Sequence, residues 1–580
     1  MYKRYLRTLS LALLATLLLA GCSSHADDVL EEQAPDILSR FNAAGKAWLT
    51  LDINLSDQDA TRSVTYDDGT AQEQAVKTLT LILFHGTGTE DAMQVASTYE
   101  VGYEAEPDGH VQLTSHSKRT IQISSENLNI GDNLALLAIA NVSPTITVGQ
   151  TFAEVKSLTR SSIVNNISGT DYYVMTNSPL ATKNDGTGTV ITLMPINSTK
   201  LYASETQAES NPAGQIYLER AAVKVTVDTD AGLDYHVAGN TNIDFSRADL
   251  WYSLFNYNTN YYLVRQFNDS WLPYNASSTG YRFVEPVALT TNKYRTNWAR
   301  DPNYDNGNAV DAYFKQWNGM GVSDYCAENT FDVAHMADIH TTSVVIALGL
   351  NGGEDFYTTS VTGSDVIYQA PSTTISEEGT SAEQSFAPRR STKVSSAKPI
   401  DEYLREWLIE THSQLRQWVK DYAGGEARHL KIAVSGDETT GLATATVTQT
   451  AQTTGAGVTD FTNLGLDSYL ANNIVVRYYY VGLCYYRVPI KHFGDELTPW
   501  ASAPAMTGNT PTAAYGDSDA NYLGRYGVVR NNWYQINIRR VTHVGSPIVP
   551  PLTQDADDQV EQLLNATLTI NNWTSHNQDL

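Results

Sequence analysis

The chain is 580 residues long, with 38 basic against 64 acidic side chains and a formal charge of −26. Such a balance excludes nucleic acid and anionic membrane surfaces as main partners, because phosphate binding needs a basic surface and none is gathered here. With 34 tyrosines and much Thr, Ser, Asn and Gly, the composition is that of a secreted β protein of roughly two to four domains.

Met1 to Thr8 carries Lys3, Arg4 and Arg7, and an apolar run follows from Leu9 to Leu19. This is the charged start and short apolar core of an export signal, too short to span a bilayer as a helix. It ends in Leu19-Ala20-Gly21-Cys22, a lipobox, which makes residues 1–22 a lipoprotein signal and Cys22 the acylated residue. Each buried CH₂ of an acyl chain contributes about 0.8 kcal/mol, so two or three chains hold a protein at a membrane without a spanning helix. Asp27 and Asp28 lie just behind Cys22, and residues 23–46 read as a polar tether.

Ala47 to Leu55 alternates, with Leu49, Leu51, Ile53 and Leu55 on one face and Thr50, Asp52 and Asn54 on the other. That pattern predicts a strand with one buried face. A polar stretch from Ser56 to Ala75 follows and holds Arg62, the only arginine between this strand and Lys77, and the turn signal Asp67-Asp68-Gly69. Strands are then expected over 77–84, 112–114, 120–123, 134–141 and 190–194, closing a first domain near 215. Glu219 to Asp228 alternates again, as a further strand, and opens a second region, with strands over 343–350, 443–450, 474–492 and 533–541. Residues 369–398 are rich in Ser, Thr and Glu and read as a loop. Pro399 then starts a helix to about Tyr422, with Leu404, Leu408 and Leu415 at helical spacing. The expected class is mainly β and sandwich-like with a helical insertion.

Chemistry-bearing patterns are few. With Cys22 taken by lipid, Cys326 and Cys484 remain, open to a disulfide outside the cytoplasm or to two buried thiols. His335, Asp338 and His340 do not share one strand face, so no metal site is expected. Asp301, Asn303 and Asp305 begin like a calcium loop, but Gly307 falls one place late and Ala312 stands where the final Glu belongs, leaving an Asx-rich turn. Gly86-Thr87-Gly88 lacks the rest of a dinucleotide fingerprint. Arg389-Arg390 in the 369–398 loop offers a second protease target. No catalytic constellation and no cofactor are expected.

Several stretches together resemble the fimbrillins, the type V pilins of Gram-negative anaerobes, particularly the shaft subunits of minor fimbriae. They are Gly482-Leu483-Cys484-Tyr485-Tyr486 with Ile490-Lys491-His492, then Tyr526-Gly527-Val528-Val529-Arg530-Asn531-Asn532-Trp533-Tyr534. Trp298 with Asp301-Pro302-Asn303-Tyr304, Cys326 to Thr330, Glu219 to Val225, and the tail with Trp573, Asp579 and Leu580 add to them. The resemblance implies two transthyretin-like β-sandwich domains, over 63–215 and 216–580. It also implies an outer-membrane lipoprotein precursor cut after Arg62, with the mature chain starting at Ser63. Residues 47–62 then leave as a propeptide, and the vacated groove takes a terminal strand of another fimbrillin subunit. The donor lies within 565–580 and carries Leu568, Ile570, Trp573 and Leu580, although Thr574 to Asp579 is polar. The partners implied are other fimbrial subunits, a processing protease and the lipid anchor, giving adhesive surface fimbriae. The alternative is a tip or anchor adhesin that binds glycan or host protein without polymerising.

Overall fold

The computed structural model describes residues 37–54, 69–101, 116–274, 281–305, 310–360, 366–371, 398–416, 430–449, 464–493, 506–507, 510–511, 523–554 and 564–572. Among them the chain is mainly β. The N-terminal half builds an eight-stranded sheet from β1 (Lys46–Asn54), β2 (Leu79–Gly86), β3 (Gln94–Val101), β4 (His116–Ser124), β5 (Asn133–Ala140), β6 (Met175–Asn177), β7 (Met194–Ile196) and β8 (Gly214–Arg220). In space the order is β3–β2–β5–β6–β8–β1–β4, with β7 also on β5. β2 and β5 are near-continuous apolar runs because both faces are covered: Leu81 and Leu83 enter one core while Ile82 and Phe84 enter another.

The expected strand over 219–228 is two strands. β8 ends at Arg220, and β9 (Val223–Thr229) begins a different sheet. The cause is local: Ala221 and Ala222, both buried, break the alternation and let the chain cross between cores. β9 pairs antiparallel with a short strand, Ser323–Cys326, and parallel with Asn532–Val541. The last strand, Leu564–Asn572, closes that sheet at its edge, antiparallel to 532–541. Facing it, Leu250–Tyr257 and Ser343–Gly349 form a sheet with Leu483–Pro489. Val223, Val225, Val227, Leu254, Ile346, Tyr534 and Ile536 meet in the core between the two.

The expected strand over 474–492 is also divided. Val476–Tyr479 belongs to a further sheet with Phe356–Thr359, Leu430–Asp437 and Leu442–Gln449, whereas Leu483–Pro489 belongs to the sheet of Leu250–Tyr257 and Ser343–Gly349. Between them Val481 (φ 45°) and Gly482 (φ 70°) turn the chain left-handed. A Cβ at Gly482 would stand 2.2 Å from the Leu350 carbonyl oxygen, so only glycine fits there. Asp355 holds the turn by accepting the Val481 N–H at 2.7 Å. The helix expected from Pro399 is present as Ile400–Thr411, with Ile400, Tyr403, Leu404, Trp407 and Leu408 buried at three- and four-residue spacing. His412 interrupts it, residues 413–416 are helical again, and the expected end at Tyr422 lies outside the described residues.

Candidate functional site

β1 is flanked on both edges. Along its whole length it pairs antiparallel with β4, from Lys46↔Ser124 to Asn54↔His116. On the other edge Leu51 to Asn54 run parallel to Gly214 to Tyr217 of β8, while Trp48 exchanges hydrogen bonds with Tyr202, and Ala213 donates to the Thr50 carbonyl at 2.7 Å. Ala47, Leu49, Leu51 and Ile53 are each 0 % exposed and share a core with Leu81, Leu136, Ile121 and Ile216. Three of these are full-sized apolar side chains, so withdrawing β1 forgoes roughly 5–9 kcal/mol of burial, at about 1.5–3 kcal/mol each. β4 has no strand partner besides β1 among the described residues, so the same event strands β4.

The chain resumes at Gly69, and its first turn is pinned. Thr70 caps the short helix α1 (Ala71–Gln74) through a reciprocal capping box with Glu73. The Glu73 carboxylate is 2 % exposed. It accepts from the Thr70 N–H at 2.6 Å, from Lys224 Nζ at 2.9 Å and from the Tyr325 hydroxyl at 2.5 Å. Its backbone carbonyl accepts from Arg220 Nε at 2.7 Å. Lys224 also lies 4.1 Å from the centroid of the Trp533 ring. Burial alone raises the Glu73 carboxyl. The hydrogen bonds from Tyr325, Lys224 and Thr70, with the Lys224 charge, more than reverse this and hold it below the ordinary glutamate range. Sequence reasoning missed this cluster. The Thr70-x-x-Glu73 spacing of a capping box was the available signal.

The separate stretches that carry the fimbrillin resemblance converge in a buried polar junction. Arg530 pairs with Glu328 at 2.6 Å, and Arg265 with Glu219 at 2.8 Å, all four side chains at most 3 % exposed. Asn531 donates to the Ala222 carbonyl and accepts from the Arg220 N–H, spanning the β8–β9 crossing. His492 lies between the Tyr534 hydroxyl at 2.7 Å and the Asn297 carbonyl at 2.8 Å. Since a carbonyl only accepts, Nε2 carries the proton and the tyrosine donates to Nδ1. Trp298 packs on Phe283, Phe331 and His492. A Cβ at Gly527 (φ 120°) would come within 3.0 Å of its ring.

Asp301 heads the turn Pro302–Asp305 and accepts from the Asn303 and Thr330 N–H groups at 2.8 and 2.7 Å. Burial pushes its carboxyl up to about 7. Asp338 is engaged by Arg487 and by the Thr553 N–H, and His335 by Asp332. Cys326 and Cys484 are buried thiols in different sheets and are not joined by a disulfide. Burial pushes the Cys326 thiol up to about 12.

Cys22, Arg62, Ser63 and Leu55 lie outside the described residues, as do Trp573 and Leu580 and all but the edges of the 369–398 loop. Leu568 and Ile570 lie in the last strand, opposite Ile536 and Tyr534. That segment therefore pairs within its own sheet here.

Residues 47–220 match the family model described as major fimbrial subunit protein (FimA), and residues 509–579 match the model of the C-terminal part of fimbrillin. Both matched segments are thus similar to fimbrillins. The first match begins within β1 and ends with β8, the two strands whose parallel pairing frames the slot. No curated protein matches the chain by sequence. Among solved structures, a fimbrilin (FimA) from Porphyromonas gingivalis W83 is 13 % identical over 91 % of this chain and 99 % of its own, with a TM-score of 0.35. A fimbrial assembly protein from Parabacteroides distasonis is 10 % identical, over 53 % of this chain and 81 % of its own, at 0.24. The fimbrial anchor protein Mfa2 from Porphyromonas gingivalis is 11 % identical, over 52 % and 77 %, at 0.20. At such scores the overlaps decide nothing about domain arrangement. The two matches support a structural protein of cell-surface fimbriae.

Proposed function

We propose that this fimbrillin is exported as a precursor lipidated at Cys22, cut after Arg62, and polymerised by strand exchange into adhesive fimbriae. The observation that supports the reading best is the placement of β1. It is a strand whose apolar side chains Ala47, Leu49, Leu51 and Ile53 are fully buried, it is paired on both edges, and it precedes a polar stretch with one arginine. Loop positions of that composition are where proteases act. Loss of β1 creates an apolar groove with open backbone edges, and such a groove is filled by an added strand. The donor in this reading is the C-terminal segment with Leu568, Ile570, Trp573 and Leu580. Because 564–572 already pairs with 532–541, donation requires that edge strand to leave its own sheet, or the residues beyond Asn572 to do the work. The processing protease and the other subunits are the partners, and the work done is assembly rather than catalysis.

A second reading, a tip or anchor adhesin, is favoured by the polar tail Thr574 to Asp579. It also gains from a row of aromatic rings left partly open on or beside the sheet of Leu250–Tyr257: Trp251, Phe314 and Trp317, 38 to 43 % exposed.

N-terminal sequencing of protein sheared from the cell surface tests the first reading. A chain that begins at Ser63 and runs as a heat-labile ladder on denaturing gels supports it. A chain that begins at Cys22 sinks it, and a cut chain without a ladder transfers support to the second. Arg62→Ala is expected to leave a folded monomer that does not polymerise.

A further inference from the structure

The retained chain is anchored at a definite place relative to the slot that β1 occupies. β8 runs parallel to β1, and Tyr217 marks the end of the slot opposite Asn54. Arg220 lies three residues further along β8, about 10 Å beyond that end at roughly 3.3 Å per residue. It is Arg220 that donates to the Glu73 carbonyl, while the Glu73 carboxylate is held by Lys224 of β9 and Tyr325 of the neighbouring strand. Gln74 donates to the Gly69 carbonyl and Gln72 to that of Asp171. Not one of these contacts involves β1. The next fixed point is Asn141, which accepts from the Lys77 N–H and donates to the Ala75 carbonyl.

We propose that Glu73, with Arg220, Lys224 and Tyr325, is a clasp that keeps the cut chain's own N-terminus too short to refill the slot, so that only another molecule's strand can fill it. This rests on the reading that the chain is cut after Arg62. The stub left by that cut, Ser63 to Asp68, is six residues long and reaches at most about 20 Å. The slot is nine residues, or about 30 Å, and its near end is about 10 Å from the clasp. The stub therefore enters at best a third of it. With the clasp open, the free segment runs from Ser63 to Gln74, twelve residues reaching about 40 Å. That spans the gap and the whole slot, in the same sense as β1. Glu73 is thus a positioning residue, acting on which strand fills the slot rather than on the slot itself.

The test is amide hydrogen exchange over residues 69–78 in the full chain before and after limited cleavage at Arg62, in wild type, Glu73→Gln and Tyr325→Phe. Leu51→Asp, which expels β1 without a cut, serves as a second way of emptying the slot. In wild type, protection of 69–78 is expected to stay within about threefold when β1 leaves. Each clasp variant is expected to lose about tenfold in protection and, once cut, to form severalfold fewer multimers while its 63–70 amides gain protection. Loss of wild-type protection as soon as β1 leaves would overturn the proposal, as would unchanged protection in both variants. A cut wild-type chain that never assembles defeats the strand-exchange reading instead, and the exchange data still decide the clasp.

Discussion

Glu73 and Asp301 are both buried carboxylates, and their surroundings push them in opposite directions. Glu73 is held below the ordinary glutamate range, so its contribution to stability is present above about pH 4.3 and is lost as pH falls through its lowered folded value. Asp301, raised to about 7, behaves the other way. Its contribution is complete below the unfolded value of 3.8 and is lost as pH rises through 7. Thermal melts of the uncut protein over about pH 4 to 7 are expected to show Glu73→Gln flattening the acid side of the profile and Asp301→Asn flattening the opposite slope. The slopes are the readout, since an amide at 301 also disturbs the donors aimed at that carboxylate. Neither residue was legible as special from sequence alone. Asp301 sat in a recognisable Asx-rich turn, but its burial depends on Asn258, Glu328 and Thr330, residues brought close only by the fold.

At the scale of elements, β1 was readable because strict alternation over nine residues leaves a single way to bury Leu49, Leu51 and Ile53. The same rule failed at 219–228 and 474–492, where alternation runs across a change of sheet. Ala221-Ala222 and the Val481-Gly482 turn carry the break, and a periodicity count passes over two residues that a backbone cannot ignore. Leu51→Ala in the uncut protein is expected to cost about 2–5 kcal/mol in denaturant unfolding. Under the proposed strand exchange β1 leaves on assembly, and the same substitution is then expected to leave assembled fibres unchanged. Equal effects in both forms would mean that β1 stays. The last strand was anticipated as a donor, and its register against 532–541 could not be read in advance, since parallel and antiparallel neighbours impose the same alternation.

For the whole molecule, the family was legible because its signature stretches are spread over the chain and meet in one buried junction. Arg530, Glu328, Glu219, Arg265 and His492 are far apart in sequence and interlock in space, so each segment constrains the others. The charge of −26 acts at longer range. Identical subunits repel one another, and salt shortens that repulsion to about 8 Å at physiological strength. The multimerisation rate of cut protein is therefore expected to rise with added sodium chloride, followed by light scattering; a rate that falls would point to ion pairs between subunits. The slot also has a direction, for β1 runs parallel to β8 and antiparallel to β4. A strand that replaces it in kind enters head-first from one side only, so donor and acceptor surfaces on a subunit are different patches. Contacts of that type are head-to-tail and run on as an open filament wherever the rotation between neighbours does not close a ring. If subunits join by the proposed strand exchange, the filament has two unlike ends, one offering an empty groove and the other an unused tail, and growth and capping at the two become separate events.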